Sequence, residues 1–462
     1  MHTTTSGDSA LPSQAATIAL VAPVFCRHSL PSITMVTTTR QQRRRRLGDS
    51  RFIRHTRALA VLLLPVAVVV TALHVSCAYT LLYVCQVVVA LGGLELSWWH
   101  FRIRKRLLIP VVCEYEHLSR DEYEQIQCDE MNPETCAVSP VADRWLGGRN
   151  WIAALIVSAL IGGGVVAIVI ACQGVIVDVE RSRLGWRMVL SCAALGTTLS
   201  TLCACFAPTA RDGVAVLVYQ ACFTVSSLNT FLAHYDRWVD DPELLDSLYV
   251  ILVGVCLVVV WRIVSSKEVL ETTLSITLDI FGLVFLTSPM METADFVDHP
   301  HAGKLGDKIS TFWFVICAAE VGHYLFMNLR ARFPHVFQRC RQMPLTKSIA
   351  ASHGIEDIVV STTLGLVGVL ISWFAFPDHH FESWEVVILV SAVVLSQMSR
   401  LGIDTMRAMA KVNGTANLKE AKHSYWNLGV MKLVSPYLVA AIVFHPYIKS
   451  LLNSNGSART ST

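Results

Sequence analysis

Charge is scarce in this chain. Only 16% of its 462 residues are Asp, Glu, Lys or Arg, whereas 53% are hydrophobic and the mean hydropathy is +0.49. A soluble domain carries roughly 25% charged residues, so the shortfall excludes a water-facing surface over most of the molecule. The net charge is a modest +3, which gives no general polyanion-binding character and makes nucleic acid a poor partner. Paired C-x-x-C knuckles are missing. Most of the 14 cysteines, including Cys77, Cys85, Cys172, Cys192, Cys203, Cys205, Cys222, Cys256 and Cys317, lie inside apolar runs and behave as small hydrophobes. No disulfide framework follows. Cys113, Cys128 and Cys136, with His117 nearby, share a polar loop but lack the spacing of a zinc site. No internal repeat is visible, which weakens an inverted-repeat transporter reading.

What the chain has instead is long apolar runs. A spanning helix needs roughly 20 predominantly apolar residues. Runs of that kind lie near 57–75, 77–98, 151–176, 186–207, 212–233, 247–265, 271–291, 309–327, 355–376, 384–399 and 428–448. The expected fold class is therefore all-α, a polytopic integral membrane helical bundle of about 11 transmembrane helices. Residues 1–56 are rich in Ser, Thr and Arg and nearly free of acids, so they read as a disordered basic cytosolic tail, or alternatively as a transit peptide. A polytopic membrane domain over 57–448 and a short C-terminal tail over 449–462 complete the organisation. Within it, 112–149 reads as an acidic, polar cytosolic connecting loop, with a short surface helix as the alternative.

The loops test that count. Arg43 to Arg46, Arg51, Arg54 and Arg57 precede the first run and place the N-terminus inside. The loop after the second run then holds Arg102, Arg104, Lys105 and Arg106 on the cytosolic side. The segments after the eighth and tenth runs, also cytosolic, hold Arg330, Arg332, Arg339, Arg341 and Lys347, then Arg400, Arg407, Lys411, Lys419 and Lys422. The loops after the fifth, seventh and ninth runs are acidic and fall outside. Lys and Arg favour the cytosolic face, and they do so here at almost every turn. An odd number of spans puts the C-terminus on the lumenal or external side, in the endoplasmic reticulum or another endomembrane for a eukaryotic host.

Ionisable groups at membrane depth are the functional candidates in such a protein. Three regions supply them, all on the predicted cytosolic face: Glu320 with His323 near the end of the eighth run; Lys347, His353, Glu356 and Asp357 leading into the ninth; and the stretch from Arg400 to Lys432, with Asp404, Lys411, Lys419 and Glu420. Carboxylates that hold a divalent cation and cations that hold phosphates are the equipment of phosphoryl and nucleotidyl transfer. The same residues also make ordinary inside-positive loops in which Glu320 and His323 satisfy each other.

The C-terminal third, 309–448, resembles the phosphatidate cytidylyltransferases (CDP-diacylglycerol synthases). Glu320 to Phe326 (EVGHYLF) looks like the family's D-x-G-A-Y-x-x-G at a helix end. Pro344 to Asp357 looks like its L-x-x-x-I-S-P-K-K-T-W-E-G, with Glu356 kept. Leu401-Gly402, Asp404 and Arg407, followed by Lys411 and Gly414, are similar to L-G-D-L-x-x-S and the basic pair after it. Lys419-Glu420 and Leu428 to Met431 fall where the family has K-D and P-G-H-G-G-I-M-D-R, and Leu91 to Glu95 resembles an early helix ending in glutamate. The departures are specific. Ala350, Ala351, Ser352 and His353 replace S-P-K-K, and Lys432, Leu433 and Ser435 stand where metal-binding acids would be.

The resemblance implies cytidylyl transfer from CTP to phosphatidate, giving CDP-diacylglycerol and pyrophosphate in phospholipid biosynthesis. In that reading Glu320, Glu356, Lys347 and Lys411 are catalytic, and His323, His353 and Lys419 bind substrate. Mg²⁺ would be held among Glu320, Glu356, Asp404 and Glu420. Phosphatidate and CTP are the implied partners, with room for a homodimer. The altered motifs equally imply a catalytically decayed, lipid-binding relative. A polytopic transporter or channel stays open, with Gly162 to Gly164 and Pro436 as the helix breaks it would use, and a CTP-dependent polyprenol-type kinase is a related option.

Overall fold

The computed structural model describes residues 78–116, 135–176, 183–235, 245–266, 268–298, 302–333, 355–375, 383–410 and 429–460, and no strand occurs among the described residues. The helices are α1 (Ala78–Glu116), α2 (Ser139–Trp145), α3 (Asn150–Ile176), α4 (Arg183–Cys205), α5 (Ala210–Tyr235) and α6 (Ser247–Ser265). They continue with α7 (Val269–Gly282), α8 (Ser288–Asp298), α9 (Ala302–Arg332), α10 (Ile355–Ala375), α11 (Ser383–Met409) and α12 (Val430–Thr460). A π-helical turn, Leu283–Thr287, joins α7 to α8. Pro289 follows at once; its missing N–H and bulky ring disrupt an α ladder, and a π turn absorbs that change of register within one span.

Among the described residues, eight helices are long and apolar enough to cross a membrane: α1, α3, α6, α7–α8 taken together, α9, α10, α11 and α12. The runs at 186–207 and 212–233 coincide with α4, a shorter apolar helix over Val189–Cys205, and with α5. The run at 57–75, like the basic tail at 1–56, lies outside the described residues. The chain is a multi-pass α-helical membrane protein. In α3 and α6 only 22% and 28% of the apolar window is buried, and Leu160, Ile168, Leu252, Val260 and Val264 point outward, as lipid-facing residues do. Windows in α1 and α9 are 72% and 67% buried, and most of α5 is buried too, so these are inner helices.

Side-chain bonds decide which helix ends lie together. At one end, Arg104 of α1 meets Asp212 at the start of α5, and Arg262 near the end of α6 meets Asp212 and Asp279. Arg106 donates to the carbonyls of Ala408 and Met409 at the end of α11, and His323 late in α9 meets Asp357 in the first turn of α10. At the opposite end, Lys308 of α9 bonds to Glu385 in the first turn of α11 and to Tyr447 late in α12, while Thr293 of α8 meets His445. Consecutive long helices therefore alternate in direction. Arg102 to Arg106, Arg330, Arg332, Arg400, Arg407 and Lys432 all belong to the first end. Arg183 and Arg187 at the start of α4, Lys308 of α9 and Lys449 of α12 belong to the second and depart from the pattern.

Three sequence expectations change here. The second apolar run does not stop at 98, because α1 continues to Glu116, so Arg102, Arg104, Lys105 and Arg106 are helical rather than in a loop. Arg104 tolerates that depth because Asp212, Ser275 and Glu271 surround it. Likewise Arg400 to Arg407 continue α11 rather than open a loop, and the tail expected from 449 is helical as far as Thr460. The polar loop 112–149 contains α2, held by Ala137 and Val138 N–H bonds to Ala207 and Cys205 between α4 and α5.

Candidate functional site

The site is built from the ends of four helices that meet beside α1. α9 and α10 pack through small residues: a side chain at Gly322 would meet the Leu364 Cβ at 2.9 Å and the Ser361 Cα at 3.2 Å. That closeness brings the last turns of α9 against the first turn of α10, where Glu356 and Asp357 are favoured by the positive end of the helix dipole. His323 Nδ1 lies 2.8 Å from Asp357 Oδ1, both side chains being buried. The Ser361 hydroxyl donates to the Asp357 carbonyl, and the Tyr324 ring stands edge-on to His323.

One turn deeper, Glu320 is fully buried and accepts from Arg400 Nη2 of α11. An isolated carboxylate at that depth would cost several kcal/mol, which explains why a cation reaches it from the neighbouring helix. Towards the end of α11, Arg407 Nη1 lies 3.6 Å from Asp404 Oδ1. Lys432, in the first turn of α12, is within electrostatic reach of Glu320, Asp404, Arg400 and Arg407.

The start of α12 is set by α1. Gly429 has φ +74°, a left-handed conformation that a Cβ would strain, and this turn aims its N–H at Glu95 Oε1 at 3.0 Å. Met431 N–H donates to the other oxygen, Oε2, also at 3.0 Å. Glu95 is thus a mid-helix residue of α1 whose carboxylate binds the N-terminal amides of α12, a favourable place for an anion. It does not close a span.

A second charged network lies at the same end of the bundle. Arg262 Nε is 2.6 Å from Asp279 Oδ2, and its Nη2 is 2.8 Å from Asp212 Oδ1. Arg104 donates to both oxygens of Asp212, at 3.3 and 3.2 Å, and to the Ser275 hydroxyl at 2.9 Å. Thr209 donates to Asp212, Tyr219 donates to the Asp279 carbonyl, and His100 lies 3.6 Å from Asp279. Two arginines and two aspartates neutralise one another here across α1, α5, α6 and α7.

Of the residues singled out by sequence, Glu320, His323, Asp404 and the neighbourhood of Glu356 come together. Lys347, His353, Lys411, Lys419 and Glu420 lie outside the described residues. The sequence placed Arg400 and Asp357 within its candidate regions but not among the named catalytic, substrate or metal residues, and the Arg104–Asp212–Arg262–Asp279 network was not foreseen. The signal was there: Arg262 and Asp279 are charges inside apolar runs, and each needs a partner. The described donors do not fit Mg²⁺ as they stand. Glu320 and Asp404 each face an arginine, Lys432 adds a further cation, and no group of three His, Cys, Asp or Glu side chains among the described residues could hold a metal. Comparison with family models, with curated proteins and with solved structures finds no match to this chain.

Proposed function

We propose that this chain recognises the phosphate of a membrane lipid at the cytosolic ends of α9 to α12 and serves cytidylyl transfer from CTP to phosphatidate. The observation that supports the reading is the gathering of Arg400, Arg407 and Lys432 around Glu320, among the described parts of the segments that resemble the phosphatidate cytidylyltransferases. Three cations on the faces of α11 and α12, set within a few turns of the helix ends, suit an anionic headgroup at the membrane boundary. In the transfer, a phosphatidate oxygen attacks the α-phosphorus of CTP. The bond from that phosphorus to the oxygen bridging it to the β-phosphorus breaks, and pyrophosphate leaves.

A second reading has its own observation. Glu320 and Asp404, two of the carboxylates the resemblance would give to a metal, are engaged by Arg400 and Arg407, which favours a lipid-binding relative without turnover. Purified protein supplied with phosphatidate, CTP and Mg²⁺ separates the two. Mass-spectrometric detection of CDP-diacylglycerol is the expected result for the first. Phosphatidate bound without product would leave only the second, and neither binding nor product would overturn both.

A further inference from the structure

Arg400 combines depth with unmet hydrogen-bonding capacity. Its side chain is 5% exposed, its Nη2 is engaged by Glu320, and its Nε and Nη1 have no hydrogen-bond partner. A buried guanidinium with two unused donor nitrogens is costly. The two edges on which a guanidinium makes paired bonds are Nε with Nη2 and Nη1 with Nη2, and both use the nitrogen that Glu320 occupies. A carboxylate held at one nitrogen therefore leaves each edge half used.

We propose that Arg400 is the anchor for the phosphomonoester of a membrane lipid, and that Glu320 is the internal anion holding its place until the lipid arrives. The inference rests on the phosphate-lipid role proposed above and goes further by naming the residue and the exchange. The phosphate takes a two-donor edge of Arg400 that includes Nη2, and Glu320 turns to Lys432, already in electrostatic reach of it. Depth favours a lipid over a soluble phosphate. Arg400 lies between two and three turns inside the end of α11 at Met409, and one turn below the His323–Asp357 pair that meets the first turn of α10. A headgroup tethered to the bilayer reaches that level, whereas a free ion must leave water to do so. The planar fork of arginine, unlike a lysine ammonium, discriminates a doubly charged monoester by two parallel bonds.

The test uses the full chain in phosphatidylcholine nanodiscs with or without phosphatidate, and reads the thermal midpoint and the lipid retained by native mass spectrometry. Phosphatidate should raise the midpoint and be retained, and inorganic phosphate in the buffer should do neither. Glu320→Gln keeps the shape, frees Nη2 and should tighten phosphatidate retention roughly tenfold; Arg400→Lys keeps charge without the fork and should weaken it by roughly tenfold. Three results would overturn the proposal: no preference of the wild type for phosphatidate over phosphatidylcholine, weaker binding in Glu320→Gln, or Arg400→Lys equal to wild type. An inorganic phosphate effect matching that of phosphatidate would overturn the lipid assignment. Because no turnover is read, a chain that makes no CDP-diacylglycerol can still pass, so failure of the transfer reading and failure of this one are distinct.

Discussion

Arg400 and Arg262 face carboxylates in opposite circumstances. Arg262 has its Nε and Nη2 matched by two aspartates, and Asp212 in turn has a second arginine and Thr209. Every arginine and aspartate of that network faces an opposite charge, and the network reads as structural. Removing one member of a buried set costs about 3–5 kcal/mol, because the partner is left charged and alone. Arg262→Met should therefore lower the thermal midpoint of the purified protein sharply, and Arg262→Met with Asp279→Asn should recover part of the loss. Additive losses would show that the two side chains do not interact. The Glu320 site is different because its arginine keeps donors in reserve. If the chain is a transferase, Glu320→Gln should abolish CDP-diacylglycerol formation while phosphatidate binding strengthens, a split that simple unfolding cannot produce.

Helix pairing by small residues sets the geometry between elements. At Gly365 of α10 an added Cβ would meet Val393 Cγ1 at 2.7 Å and the Ala319 Cβ at 3.0 Å, and at Gly368 it would meet the Ala318 Cβ at 2.9 Å. Lipid tails are as apolar as leucine, so helices in a bilayer associate through such close packing rather than through burial of apolar surface from water. Gly365→Leu should separate α9 from α10, loosen the His323–Asp357 contact and shift the protein to aggregated fractions in size-exclusion chromatography. Gly163→Leu on α3, where nothing lies within 4 Å, should elute as wild type. A Gly365 variant that behaves like the Gly163 control would show that this packing is not needed. On the far side of the site an aromatic contact adds another pairing: Phe312 stacks on Phe444 with centroids 4.1 Å apart, tying α9 to α12 below the charges.

For the whole molecule, alternation of helix direction has a direct consequence. Both charged networks, α2 and the ends of α9 and α11 belong to one membrane face, and Leu245 with the start of α6 belongs to the other. In a background without reactive cysteines, Leu245→Cys in cells or sealed vesicles of native orientation should react with an impermeant maleimide from the non-cytosolic side. Arg144→Cys on α2, which is exposed, should react only after permeabilisation. The reverse pattern would invert the proposed orientation while leaving the bundle intact.

Hydrophobic run length by itself determined the membrane-helical class, because a bilayer demands roughly 20 apolar residues per span and leaves backbone groups no other partner than their own helix. It also located Glu320, His323 and Asp404, since a charge near an apolar helix end is conspicuous in one dimension. Partners are not. Glu320 and Arg400 are 80 residues apart, and Arg104 is 171 residues from Ser275. Nothing in periodicity reveals which helices become neighbours, so run length ended α1 at 98 and took Arg102 to Arg106 for a loop. Only tertiary packing could show that those arginines continue the helix, because their charge is answered by side chains from α5 and α7 and by backbone carbonyls at the end of α11. Packing alone likewise paired Glu320 and Asp404, two of the expected metal carboxylates, with arginines and placed Glu95 on the amides of α12, for in a low-dielectric bundle each buried charge settles on whichever opposite charge or dipole the neighbouring helix presents.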